Sequence, residues 1–275
     1  MRFAGRSAIV TGGSRGIGRA IAQRLAEDGA DLCVVAAPAD ETDLQRAGEE
    51  LSSLGVRVHT IAADIGEEET AKQAVRETLE RYGRLDMLAS NAGVGTFEHV
   101  LDAPIELLDR LTKVNVRGMF LIATESARAM RAAGGGSIVC TASTASYMGE
   151  EGQAVYNITK GAVAALARSL AVDLAAEGVR VNAVAPGWVD TPANSEVVDD
   201  PGWWSQGRAT IPLDRMAAPR EIANVVAFLL SDEASYMCGS LVVVDGGMTA
   251  GFRKSGWTAT ISPPPQHAIE PDSAR

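Results

Sequence analysis

The chain has 275 residues, 46 % of them apolar, enough for one large α/β domain and short for two. A net charge of −10 argues against nucleic acid, which needs basic patches, and no run of about 18 apolar residues suggests a membrane span. The three cysteines, Cys33, Cys140 and Cys238, are scattered in or beside apolar runs, so buried, reduced cytoplasmic thiols are expected, with no disulfide framework and no metal cluster.

No basic segment followed by an apolar stretch opens the chain, so no signal peptide is expected. The apolar run 7–10 reads as a buried strand. It leads into T-G-G-S-R-G-I-G at 11–18 and a helical pattern over 17–28. Glycines permit a tight turn and let the backbone approach a pyrophosphate, while the helix N-terminus offers free N–H groups and partial positive charge. The spacing of Gly12, Gly16 and Gly18 is G-x-x-x-G-x-G, not the standard G-x-G-x-x-G. A glycine cluster alone could be an ordinary turn. Its position in the first strand–helix unit favours a dinucleotide.

A second strand is expected at 31–36, then a helix at 41–54, a strand at 56–62 and a helix at 67–82. Further strands are expected at 85–89, 136–141, 179–184 and 241–244, and helices at 103–132, 153–176 and 219–230. This alternation implies βαβ units and a doubly wound parallel sheet with helices on both faces. The domain is expected to span 1–250. The remainder, 251–275, carries Pro263, Pro264, Pro265 and Pro271 and reads as an extended tail, either inert or an arm using Trp257.

Chemistry is concentrated in Y-N-I-T-K, where Tyr156 and Lys160 stand four residues apart on one helix face, with Ser143 thirteen residues upstream. Free tyrosine titrates near pH ~10 and is a poor base. A lysine cation one turn away is expected to lower that pKa, letting the phenol trade protons with an alcohol or ketone oxygen. Ligands of doubly wound sheets lie at the carboxyl ends of the strands. Thr11, Asn91, Ser143 and the pair Pro186-Gly187 all follow strand runs and should therefore gather along one edge.

These segments, with Asp64 after the third strand, N-A-G at 91–93, Asn115 in V-N-V, Thr191 and D-G-G at 245–247, stand in the order and spacing of one family. From 3 to 249 the chain resembles a short-chain dehydrogenase/reductase of the single-domain type, closest to sugar and polyol dehydrogenases and 3-oxoacyl-thioester reductases. The resemblance implies a tetrad of Asn115, Ser143, Tyr156 and Lys160. Ser143 would hold the substrate oxygen, Lys160 would also bond the nicotinamide ribose, and Asn115 would fix a water linking Lys160 to solvent. It implies a cofactor groove made by Thr11, Gly12, Ser14, Arg15, Gly16, Ile17 and Gly18 at the glycine turn. Ala36, Asp64 and Ile65 would lie at the adenosine end, and Asn91, Ala92 and Gly93 in the middle. Pro186, Gly187, Val189 and Thr191 would hold the carboxamide. Asp64 is expected to bond the adenine amino group or to cap the helix near Glu67.

Cofactor choice turns on Ala36, where NAD enzymes usually place a carboxylate for the ribose 2′-OH. No acid stands there, although Asp40 is close, and Arg15 is positioned to meet a 2′-phosphate. NADP(H) is therefore favoured over NAD(H). The substrate is expected to meet 145–153 and the long loop 188–216. Trp203 and Trp204 would form a lid or pack it down, and Glu150 or Glu151 would disfavour an anion if either faces the cavity. The expected activity is hydride transfer with a secondary alcohol or ketone. The alternatives are a 3-oxoacyl-thioester reductase, which pI ≈ 4.9 disfavours, and a non-catalytic dinucleotide-binding regulator, which an intact Ser–Tyr–Lys set disfavours. Small residues on 103–132 and 153–176, with the resemblance, imply a homotetramer or a homodimer.

Overall fold

The computed structural model describes residues 1–195 and 200–251, without the side chains of Pro201 and Trp203. The expectations for the Trp203 side chain and the tail beyond 251 lie outside the described residues. Seven strands form one parallel sheet in the order β3-β2-β1-β4-β5-β6-β7. They are β1 Ser7–Thr11, β2 Asp31–Ala36, β3 Val58–Ala62, β4 Met87–Ser90, β5 Gly136–Thr141, β6 Val179–Pro186 and β7 Leu241–Val244.

Among the described residues the α-helices are α1 Gly16–Glu27, α2 Glu41–Ser52, α3 Glu68–Tyr82, α4 Ile105–Leu111, α5 Met119–Ala132, α6 Ala154–Leu174, α7 Pro201–Ala209 and α8 Pro219–Leu230. Both faces of the sheet are covered, which is why its strands are apolar throughout rather than alternating. Ile9, Cys33, Leu88 and Ile138 pack on the face of α3, α5 and α6. Their chain neighbours Ala8, Val10, Leu32 and Met87 pack on the face of α1, α2 and α8.

Three expectations change. The helix expected at 103–132 is interrupted, because 112–118 adopts the wider π-helical winding between α4 and α5. The long loop contains α7, whose sequence signal is Asp200-Pro201. The Asp200 side chain accepts from Gly202 N at 2.9 Å, its carbonyl accepts from Trp204 N at 2.9 Å, and proline suits a first helical position. Cys33 and Cys140 are buried as expected, but Cys238 is exposed, because it lies in the turn just before β7 rather than within the strand. Among the described residues no helix is long and apolar enough to cross a membrane, and no group of three or more His, Cys, Asp or Glu could hold a metal ion.

Candidate active site

The strand order reverses between β1 and β4, which opens a crevice at their carboxyl ends. Thr11 closes its floor. Its Oγ1 accepts from Asn91 N at 2.9 Å and from Ala92 N at 3.0 Å, tying the two strand ends together. A cleft of about 1040 Å³ runs from this point along the sheet edge. All the predicted groove and tetrad residues line it except Gly18 and Asn115.

Those two act from behind. A Cβ at Gly18 would lie 2.0 Å from the Gly12 carbonyl oxygen, so only glycine lets α1 begin this close to the turn. Gly12 itself has φ +68°, and a Cβ there would lie 2.9 Å from Ala92 Cα. The first turn of α1 has no side-chain cap, and its N–H groups remain available for an anion. The cradle thus has the free donors and backbone clearance that a dinucleotide pyrophosphate needs.

At the adenosine end, Ala36 is 4 % exposed and presents no carboxylate. Asp40 does reach this end. It pairs with Arg15 at 3.3 Å and makes a long contact of 3.5 Å with Ser14 Oγ. Asp64 is not a helix cap, since Glu67 holds that position before α3. Its Oδ1 accepts from Gly66 N at 2.8 Å, and Lys113 Nζ donates to Oδ2 at 2.8 Å. The Lys113 ammonium holds the Asp64 carboxyl below its ordinary range. Lys113, 49 residues away in sequence, carried no local signal.

Asn115 lies at the centre of the π-helical winding and is fully buried. Its Oδ1 accepts from Val94 N at 2.8 Å, and its Nδ2 donates to Val94 O at 2.8 Å and to Thr159 Oγ1 at 3.0 Å. Asn115 therefore fastens the loop after β4 to α6. Gly93 fits between Asn115 and Lys160, where a Cβ would lie 3.4 Å from Nζ.

Ser143 begins a short turn after β5, and its Oγ accepts from Ala145 N at 3.1 Å. Ser146 does not line the cleft; its Oγ donates to Lys160 O at 2.8 Å and locks this turn to α6. Thr141 supplies the carbonyl that accepts from Lys160 Nζ at 2.9 Å. Nζ sits 5.6 Å from the centre of the Tyr156 ring. Burial pushes the Tyr156 phenol up to about 12, against a hydrogen bond to Ser143 that favours the phenolate, and pushes Lys160 down to about 8. Burial outweighs the lowering of the phenol expected from Lys160, because desolvation acts on both groups and favours their neutral forms.

At the far end, a Cβ on Gly187 would meet Asp245 Cβ at 2.9 Å, so this turn packs directly on the D-G-G segment. Asp245 accepts from Gly247 N, Thr249 N and Thr249 Oγ1 at 2.9, 2.8 and 2.6 Å, which brings Met248 to the cleft. Glu150 and Gln153 line the cleft, as do Trp188 and Asn194, whereas Glu151 and Trp204 do not. Phe97 was missed by sequence reasoning. It lies parallel to Trp188 with ring centres 6.3 Å apart, and only the fold makes them neighbours.

Comparison with known proteins fits this geometry. A family model described as enoyl-(acyl carrier protein) reductase matches residues 12–249. The L-rhamnose 1-dehydrogenase (NAD(P)(+)) of Sphingomonas sp. (strain SKA58) is 37 % identical over 245 residues, covering 89 % of this chain and 96 % of the relative. The cis-4-hydroxycyclohexanecarboxylate dehydrogenase of Sinomonas cyclohexanicum is 37 % identical, covering 90 % and 98 %. The crystal structure of an NAD+-bound xylitol dehydrogenase superposes with a TM-score of 0.85 at 32 % identity, covering 90 % and 100 %. The chain belongs to the short-chain dehydrogenase/reductase family and is a nicotinamide-dependent oxidoreductase acting on alcohols or ketones.

Proposed function

We propose that the protein interconverts a secondary alcohol and its ketone on a neutral sugar, polyol or cyclic alcohol, in the cytoplasm. The observation that carries this reading is the convergence of Ser143, Tyr156 and Lys160 on a cleft that begins at the glycine turn. The rhamnose and xylitol relatives support the substrate class. The bound cofactor supplies or accepts the hydride. Ser143 Oγ holds the substrate oxygen, and the Tyr156 hydroxyl gives or takes its proton. Lys160, buried beside both, orients the nicotinamide ribose and favours the phenolate as that proton leaves. Thr11, Gly12, Gly16 and the α1 N-terminus hold the pyrophosphate, and Pro186, Gly187, Val189 and Thr191 hold the carboxamide. Asn115 keeps the loop at Gly93 open for Lys160.

NADP(H) is favoured over NAD(H), because Ala36 offers no acceptor for a 2′-hydroxyl and Arg15 stands at the lip of the cleft. The Asp40 partner of Arg15 limits that preference to about one order of magnitude. A panel of sugars, polyols, cyclic alcohols and 3-oxoacyl thioesters, assayed with both cofactors at the reduced-nicotinamide absorbance band, tests the reading. Turnover of cyclic alcohols or sugars with a higher kcat/KM for NADP is expected, and Ala36→Asp should reverse the preference by adding a ribose acceptor and a repulsive charge. Preference for a 3-oxoacyl thioester would overturn the substrate class, and absence of any turnover would leave only dinucleotide binding.

A further inference from the structure

The turn before α6 carries polar groups that proton transfer does not use. Glu150 and Gln153 line the cleft, while Glu151 between them is exposed. The turn is held in place, since Gln153 N donates to Glu150 O at 3.1 Å and Glu98 N donates to Gly152 O at 2.7 Å. The second bond docks it against the loop that carries Phe97. Gln153 is only 8 % exposed, and its amide bonds to none of the described residues.

Glu150 is half-buried, and among the described residues it has neither an ion pair nor a side-chain hydrogen bond. Desolvation alone raises its carboxyl above the ordinary range. It shares the cleft with Tyr156, which stands three residues beyond Gln153 in the first turn of α6. A half-buried carboxylate without a cation is unfavourable until a donor reaches it. A hydroxyl can donate, whereas a ligand carboxylate cannot donate and is repelled. The parallel rings of Phe97 and Trp188 add apolar surface and no charge, and the Lys160 ammonium is turned to the Thr141 carbonyl at 2.9 Å.

Resting on the dehydrogenase reading above, we infer that Glu150, with Gln153 beside it, is the specificity determinant of the site. Its carboxylate accepts a hydrogen bond from a second, non-reacting hydroxyl of a neutral substrate and excludes substrates that carry an acid there. The chain would thereby differ from a relative whose named substrate is a hydroxycyclohexanecarboxylate.

The test uses the cofactor-loaded enzyme and a matched pair of ligands, cyclohexane-1,4-diol and 4-hydroxycyclohexanecarboxylate. Calorimetry should show the diol binding at least about tenfold tighter than the acid to the wild type. Glu150→Gln keeps the shape and removes the charge, and should reduce that ratio at least about fivefold, chiefly by tightening the acid. Glu150→Leu should also weaken the diol. Glu151→Gln makes the same charge change outside the cleft and should leave the ratio unaltered. An unchanged ratio in Glu150→Gln, an equal change in Glu151→Gln, or failure of both ligands to bind the wild type overturns the assignment. Turnover is read separately. Binding as expected with no oxidation of any alcohol keeps the role of Glu150 and overturns the dehydrogenase reading instead.

Discussion

Burial raises the pKa of Tyr156 and lowers that of Lys160, and this has measurable consequences. Tyr156→Phe removes only the proton donor, so kcat should fall by about 10²–10⁴-fold while the cofactor Kd hardly changes. Near-normal kcat in a purified, cofactor-binding variant would refute the proton-transfer role. Lys160 titrates at about 8 in the folded protein, against ~10.4 for a free lysine. Between these values the unfolded chain holds more protons than the folded one, so stability rises with pH across that window. Below it, lysine is charged in both states and the burial penalty is present in full. Denaturant titration of the cofactor-free protein should therefore show wild type gaining up to roughly 3 kcal/mol relative to Lys160→Met between about pH 7.5 and 10. Parallel pH profiles would contradict the depressed lysine.

Among the elements, the interrupted helix has the clearest function. Continuous α-helix over 103–132 is what the residue pattern suggests. The π-helical winding at 112–118 instead sets the Asn115 amide opposite both backbone polar groups of Val94. Such single wide turns often mark functional positions. Here the gain is that one buried side chain bonds both backbone polar groups of Val94, which keeps the segment from Gly93 to Phe97 along the cleft. Asn115→Ala removes the side-chain partner of both Val94 groups and one of two partners of Thr159 Oγ1, which still donates to Tyr156 O. Val94 lies in an exposed loop where water replaces a lost partner, so each hydrogen bond lost costs about 0.5–1.5 kcal/mol and urea unfolding should show a loss of about 1–3 kcal/mol. Asn115→Asp keeps the acceptor for Val94 N, but it brings a charge into a buried site and strips Val94 O of its donor. It should therefore fail to restore wild-type stability.

For the whole molecule, the sheet buries both faces within one subunit, yet the outer faces of α5 and α6 are not polar throughout. Phe120, Ile158 and Val172 are 48 %, 60 % and 82 % exposed. A two-fold pairing of these helices would remove that surface from water, and repetition on a second axis gives the expected homotetramer. Sedimentation at micromolar concentration should give about four times the 28.7 kDa chain mass. A stable monomer would count against it, and an aspartate at Ile158 should shift the protein toward smaller species.

The alternation of strands and helices, the glycine turn and the Tyr156–Lys160 spacing were legible because each is a local property. Buried strands require unbroken apolar runs, a tight turn requires glycine, and residues four apart share a helix face. From these the doubly wound sheet and the lining of its cleft follow, as strand order alone brings Thr11, Asn91, Ser143 and Gly187 to one edge. What the tertiary structure decided are matters of partnership between distant segments. Lys113 engages Asp64, Asp40 engages Arg15, Phe97 meets Trp188, and Asn115 winds its helix wide to reach Val94. Burial likewise overrides the local pairing of Tyr156 with Lys160, because desolvation depends on everything packed around them rather than on their spacing.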